Sequence, residues 1–180
     1  YAALLSSTGL VAIAEIGDKT QLLSFVLAAR FRRPWPIVAG ILVATLANHA
    51  LAASLASAVA GLVPPAALSL VVAAAFLLFA AWTLRPDSLD FDHKRIVGGA
   101  FLATTVAFFL VEMGDKTQFA TATLAARYPG NLATVVAGTS IGMLIANVPA
   151  VLVGEALADR LRLDWIRWIA AASFEIGRAH

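Results

Sequence analysis

Two seven-residue stretches carry chemistry that their surroundings lack. "EIGDKTQ" fills residues 15–21 and "EMGDKTQ" fills 112–118, each set among Ala, Leu, Val and Phe. On a regular helix, Glu15 and Asp18 share a face one turn apart, with Lys19 flanking it. Thr20 then points elsewhere, its hydroxyl turned back to the preceding turn. Gly17 lets a neighbouring helix or an ion approach the backbone, or permits a local break that frees carbonyls. Glu15, Asp18, Glu112 and Asp115 with Lys19 and Lys116 sum to −2 when all are ionised. That balance suits one divalent ion, or two protons in its absence. Carboxylate and amide oxygens favour hard ions such as Mg²⁺, Ca²⁺ or Mn²⁺. Crowded carboxylates repel one another once ionised, so protons compete with metal for the same oxygens. One site serving either partner is the minimal apparatus of an exchanger.

The elements that must position these groups are membrane helices. The chain has 180 residues, 61% hydrophobic and 13% charged, about half the charge of a soluble domain. Its mean hydropathy is +0.85. Apolar runs over 4–29, 37–62, 66–84, 96–126 and 131–153, and a shorter sixth from Trp165, match the ~20 residues a bilayer requires. The first run lacks a basic leader and is charged at its centre, so it reads as a span and not as a removable signal. There is no Cys, hence no disulfide or thiolate site. Most of the Lys and Arg lie in loops, where they serve topology instead of nucleic-acid binding.

Within such helices the clusters are costly. Six ionisable groups at mid-helix cost on the order of 15–20 kcal/mol before pairing. Lys19 lies ten residues before Ala29, ~15 Å from that helix end, too far for its stem to reach water. Mutual ion pairs Glu15–Lys19 and Glu112–Lys116, spaced four apart, would offset part of this, but leave Asp18 and Asp115 unexplained. Intramembrane ionisable groups are functional by default.

The chain repeats. "EIGDKTQLLSFVLAARF" (15–31) matches "EMGDKTQFATATLAARY" (112–128) at an offset of 97, and Ala39–Gly40 matches Ala137–Gly138 at 98. Prolines and arginines in "RFRRPWP" (30–36) end the first helix, "GLVPP" (61–65) forms a turn, and "RYPGN" (127–131) closes a later helix. The fold expected is all-α, with six transmembrane helices in two three-helix repeats, 1–84 and 96–180, joined by a linker at 85–95. An odd number of helices per repeat inverts the second half, which places the site near the midplane. Nine Lys and Arg fall on the linker side against two on the other, so the linker is expected in the cytoplasm and both termini outside. Trp35, Trp82, Trp165 and Trp168 lie near helix ends, as an aromatic belt requires. The 154–164 segment has the spacing of a short interfacial helix.

With its doubled E-x-G-D-K-T cluster in a two-half chain, this sequence resembles the Golgi-type cation transporter family, whose bacterial, yeast, chloroplast and human members carry E-x-G-D-[KR]-[TS] once per half. The resemblance covers essentially the whole chain. It implies a secondary transporter exchanging Mn²⁺ or Ca²⁺ for protons, with Glu15, Asp18, Glu112 and Asp115 forming the cation site and Lys19, Thr20, Gln21, Lys116, Thr117 and Gln118 supporting it. The short linker resembles the compact bacterial form, hence a multi-pass protein of the bacterial inner membrane. "SFEIGRAH" (173–180) departs from its counterpart "AFLLFAAW" (75–82), so the sixth helix is expected to be truncated or altered, and its residues receive no function.

Asn48 and Asn147 sit mid-helix, either as interhelical hydrogen-bonding groups or as neutral oxygen ligands. His49, opposite Asn147 in the repeat, suits packing better than proton relay. Asp87, Asp90, Asp92 and His93 read as a solvated linker. No tightly bound cofactor is expected, and the partners are a divalent cation, protons and lipid, with a homodimer left open. An enzyme is disfavoured, because H-E-x-x-H and G-x-S-x-G are missing. A divalent-cation channel or uniporter, and a structural subunit held by ion pairs, are the competing readings.

Overall fold

The computed structural model describes residues 1–83 and 99–158, and those residues are all-helical. Seven helices follow one another: α1 (Ala2–Ala14), α2 (Lys19–Phe31), α3 (Pro34–Ala60), α4 (Pro65–Thr83), α5 (Ala100–Glu112), α6 (Lys116–Arg127) and α7 (Leu132–Leu157). Two of them, α3 and α7, are long and apolar enough to cross a membrane, while α1, α5 and residues 66–78 of α4 form shorter apolar helices.

The runs expected as continuous helices over 4–29 and 96–126 are each broken at the charged cluster. Gly17 takes φ +80° and Gly114 φ +77°, both left-handed. A right-handed helix stops at such a residue, and glycine adopts it without steric penalty. Asp18 and Asp115 follow in extended conformation as the N-caps of α2 and α6. A Cβ at either glycine would meet nothing within 4 Å. The glycines therefore serve the break, not a close approach by another helix. The helical wheel that placed Glu15, Asp18 and Lys19 on one face does not describe this geometry.

The other punctuation agrees with the sequence. Arg32 closes α2 with φ 53°, and Pro34 opens α3 at a position where its missing N–H costs nothing. Gly61 caps α3 before α4 starts at Pro65. Gly130, at φ +82°, turns the chain from α6 into α7. α7 runs on to Leu157, so the first residues of the segment expected as an interfacial helix belong to α7 instead. The linker, residues 159–164 of that segment, the sixth span, and Trp165 and Trp168 lie outside the described residues, as do most of the basic residues used for orientation.

Packing between the halves is reciprocal. α1 and α2 lie against α7, while α5 and α6 lie against α3. A Cβ at Gly138 on α7 would stand 2.8 Å from Ser7 Cβ and 2.9 Å from the Leu4 carbonyl oxygen of α1. A Cβ at Gly40 on α3 would stand 2.8 Å from both Thr104 Cβ and the Phe101 carbonyl oxygen of α5. Phe101 and Thr104 are Leu4 and Ser7 shifted by 97, so each half offers the other the same contact. Small residues let helix backbones approach this closely.

Polarity is arranged inside out. Leu5, Ile13, Leu55, Leu70 and Leu77 are each 70% or more exposed, whereas Glu15, Thr20, Asn48, His49, Glu112 and Asn147 are buried. An apolar exterior around a polar interior is stable when lipid, not water, surrounds the protein. Trp35, at the start of α3, is also exposed.

Candidate functional site

The two helix breaks meet in the interior. Glu15 ends α1 and Glu112 ends α5; Asp18 and Asp115 begin α2 and α6. One carboxylate oxygen from each of Glu15, Glu112 and Asp115 falls within 4.8 Å of the others, all three residues being buried. Two of these residues come from the second half and one from the first. Asp18 is half-buried and close enough to Glu15 and Glu112 to interact with both electrostatically. Neither aspartate closes its carboxylate back on its own helix as a capping group. Helix ends reinforce the arrangement: carbonyl ends of α1 and α5 favour a cation, and amide ends of α2 and α6 favour the carboxylates.

The supporting polar residues hold this geometry by contacts that a regular helix does not allow. Thr20 donates its hydroxyl to Glu15 Oε2, and Thr117 donates to Glu112 Oε2 at 3.2 Å. The expectation that Thr20 bonds back to its own backbone is thus corrected, because the break brings a residue five positions away into reach. Gln21 Oε1 accepts the Gly17 amide at 2.9 Å, and Gln118 Oε1 accepts the Gly114 amide at 2.7 Å. Each glutamine ties down the glycine that interrupts its helix. Gln21 also donates to the Ala146 carbonyl of α7 at 3.0 Å, anchoring the break to the other half.

Lys19 Nζ bonds Asp115 Oδ1 at 2.8 Å, an ion pair between the halves where spacing alone had pointed to Glu15 four residues before it. Lys116 is buried, Lys19 half-buried. Asn48 donates to the Phe109 carbonyl of α5 at 3.0 Å. Asn147 accepts from Ser24 at 2.8 Å and donates to the Met143 carbonyl at 3.1 Å. Both asparagines thus bind helices together, as one of their two readings required. Ser24 is a partner that sequence reasoning missed; its position one turn beyond Thr20 on α2 was the available signal.

Among the described residues, Glu112 Oε1, Asp115 Oδ2 and Asn48 Oδ1 are buried oxygens with no hydrogen-bond partner. A buried acceptor without a donor costs about 1–3 kcal/mol, more when charged. Of these, Glu112 and Asp115 belong to the converging carboxylate cluster, and carboxylate oxygens of this kind are the ligand type that hard cations take.

The family model described as "Divalent cation/proton antiporter GDT1" matches residues 3–91 and 100–177. A Vibrio cholerae protein named "Putative manganese exporter" is 52% identical over 164 residues, covering 91% of this chain and 82% of its own. A GDT1-like protein of Synechocystis is 28% identical, covering 92% and 89%. GDT1-like protein 3 of Arabidopsis thaliana is 27% identical, covering 89% of this chain and 64% of its own. No solved structure gives a significant match.

Proposed function

The chain belongs to the GDT1 family of divalent cation/proton antiporters, and from that premise we propose that it exports divalent cations, Mn²⁺ and/or Ca²⁺, from the cytoplasm in exchange for protons. Family members of this kind are membrane transporters, not enzymes. The observation that carries the reading is the convergence of Glu15, Glu112 and Asp115 within 4.8 Å at two helix breaks.

In this reading Glu15, Asp18, Glu112 and Asp115 hold the transported ion. Lys19 neutralises part of the acidic charge while the ion is away, since it already bonds Asp115. Thr20, Thr117, Gln21 and Gln118 fix the breaks. Metal needs ionised carboxylates, so its arrival expels protons and acid opposes it. The same oxygens therefore carry either cargo, one at a time, which is the condition for obligatory exchange.

The proposed architecture has six spans in two inverted repeats, residues 1–84 and 96–180, with linker 85–95 in the cytoplasm and both termini outside. The reciprocal packing of α1 and α2 on α7 and of α5 and α6 on α3 supports it, as does the nine-to-two distribution of basic residues. Rocking of one repeat against the other would open the midplane site to each side in turn. A bacterial inner membrane suits the compact linker and the similarity to the Vibrio protein.

The test is metal flux in proteoliposomes with equal metal on both sides and an imposed pH difference. An exchanger moves metal toward the acidic side. A protein that passes metal only down a metal gradient is a channel or uniporter.

A further inference from the structure

The two halves are not equal around their glutamates. Asn147 of α7 lies against Glu15. The repeat places His49 of α3 in the equivalent position, and its Nε2 stands 3.9 Å from Glu112 Oε2 with both side chains fully buried. Among the described residues Nε2 has no hydrogen-bond partner.

The other ring nitrogen is fixed. His49 Nδ1 lies 2.9 Å from Thr139 Oγ1, and Thr139 donates its one proton to the Val136 carbonyl at 3.1 Å. With that proton on the Val136 carbonyl, the hydroxyl oxygen accepts from Nδ1–H, which leaves the lone pair on Nε2, 3.9 Å from Glu112 Oε2. A hydrogen bond to the other ring nitrogen that sets tautomer and ring orientation is the usual support of a metal-binding histidine. The first half has no such device, because the residue equivalent to Thr139 is Ile41. A separation of 3.9 Å is long for a hydrogen bond. It fits two donors that share one ion, since donors each ~2.1 Å from a metal lie ~3–4 Å apart.

The geometry points to His49 as a nitrogen donor to the transported ion beside Glu112, selecting first-row transition ions over Ca²⁺. This rests on the cation-transport reading of the same site. Ca²⁺ takes oxygen ligands, so an imidazole adds little to its binding. First-row divalent ions accept imidazole, with Mn²⁺ the weakest of the series. An all-oxygen site would leave Mn²⁺ and Ca²⁺ to be told apart by size alone, whereas one nitrogen biases the site chemically.

Pulsed EPR of Mn²⁺ bound to the purified protein tests this without a mutation, by looking for ¹⁴N modulation from a coordinated imidazole. The wild-type protein should show it. His49→Asn, which copies the residue of the other half, should abolish it and lower the Mn²⁺-over-Ca²⁺ preference in flux competition about tenfold or more. Thr139→Val should weaken the nitrogen signal while sparing the ring itself. Absence of ¹⁴N modulation in wild type overturns the assignment, as does loss of Mn²⁺ and Ca²⁺ flux in equal proportion in His49→Asn. Nitrogen-bound Mn²⁺ in a protein that moves no metal under any gradient would keep His49 as a ligand and overturn the transport reading alone.

Discussion

Residues 15–21 and 112–118 are near copies in sequence, yet the structure surrounds them differently. Both contain a left-handed glycine, a glutamine bound to that glycine's amide, and a threonine bound to the glutamate. Those shared contacts are made inside one half and depend on local spacing. What differs comes from the partner half. Glu15 meets an amide at Asn147, which Ser24 also holds, while Glu112 meets an imidazole at His49 anchored by Thr139. Repetition preserved the device that breaks the helix, and divergence acted on the surfaces that one half presents to the other. A repeated sequence motif can therefore sit among unlike neighbours.

The largest expected effect comes from the carboxylates. Glu15→Gln, Glu112→Gln and Asp115→Asn should each reduce transport at least about 100-fold, with expression retained, because shape survives and ligand charge does not. Flux assays on the three decide whether the halves share one site. Normal transport by any of them would show that its carboxylate charge is dispensable.

Acid should weaken apparent metal affinity, about tenfold per pH unit for each proton the metal displaces. The sign follows from competition for the same oxygens: below the titration range protons hold the site, above it metal does. Equilibrium Mn²⁺ binding across pH measures it, and a flat profile would break the proposed exchange.

Next come the contacts between halves. Gly40→Val and Gly138→Val place side-chain atoms where even a Cβ falls within 2.8 Å of the opposite helix. Each should destabilise the protein by about 1–3 kcal/mol through overpacking, with larger loss if the backbone cannot yield. Thermal unfolding in detergent should give similar values for the two. Widely different values would show that the reciprocal packing is not matched energetically.

Smaller still are the breaks. Gly17→Ala and Gly114→Ala meet no neighbour, so their cost is conformational, about 1–2 kcal/mol for an L-residue at positive φ. Asn, which tolerates that region, should cost less at both sites. Ala without penalty would mean that the chain re-forms a continuous helix there. Ser24→Ala, removing one interhelical hydrogen bond, should cost about 0.6 kcal/mol, the smallest effect of the set.

Much was legible in the residues alone. Apolar composition, the spacing of Pro and Gly, and the offset of 97 identified the apolar stretches, without the breaks inside two of them, the turns at 30–36, 61–65 and 127–131, and the two acidic clusters, because each is a local or periodic property of the chain. The sequence also showed that six ionisable groups inside apolar helices need compensation. It did not show how they obtain it. Side-chain direction was read from an unbroken helix, and a single left-handed glycine redirects every group on either side of it. That is why Thr20 binds Glu15 and why Lys19 reaches Asp115, a residue 96 positions away. Which three carboxylates converge, which oxygens remain without donors, and which glutamate faces the imidazole depend on how helices from separate halves dock. Helix and turn follow from neighbours along the chain; a carboxylate cluster shared by two halves is a contact between distant residues, and only the packed tertiary structure brings those together.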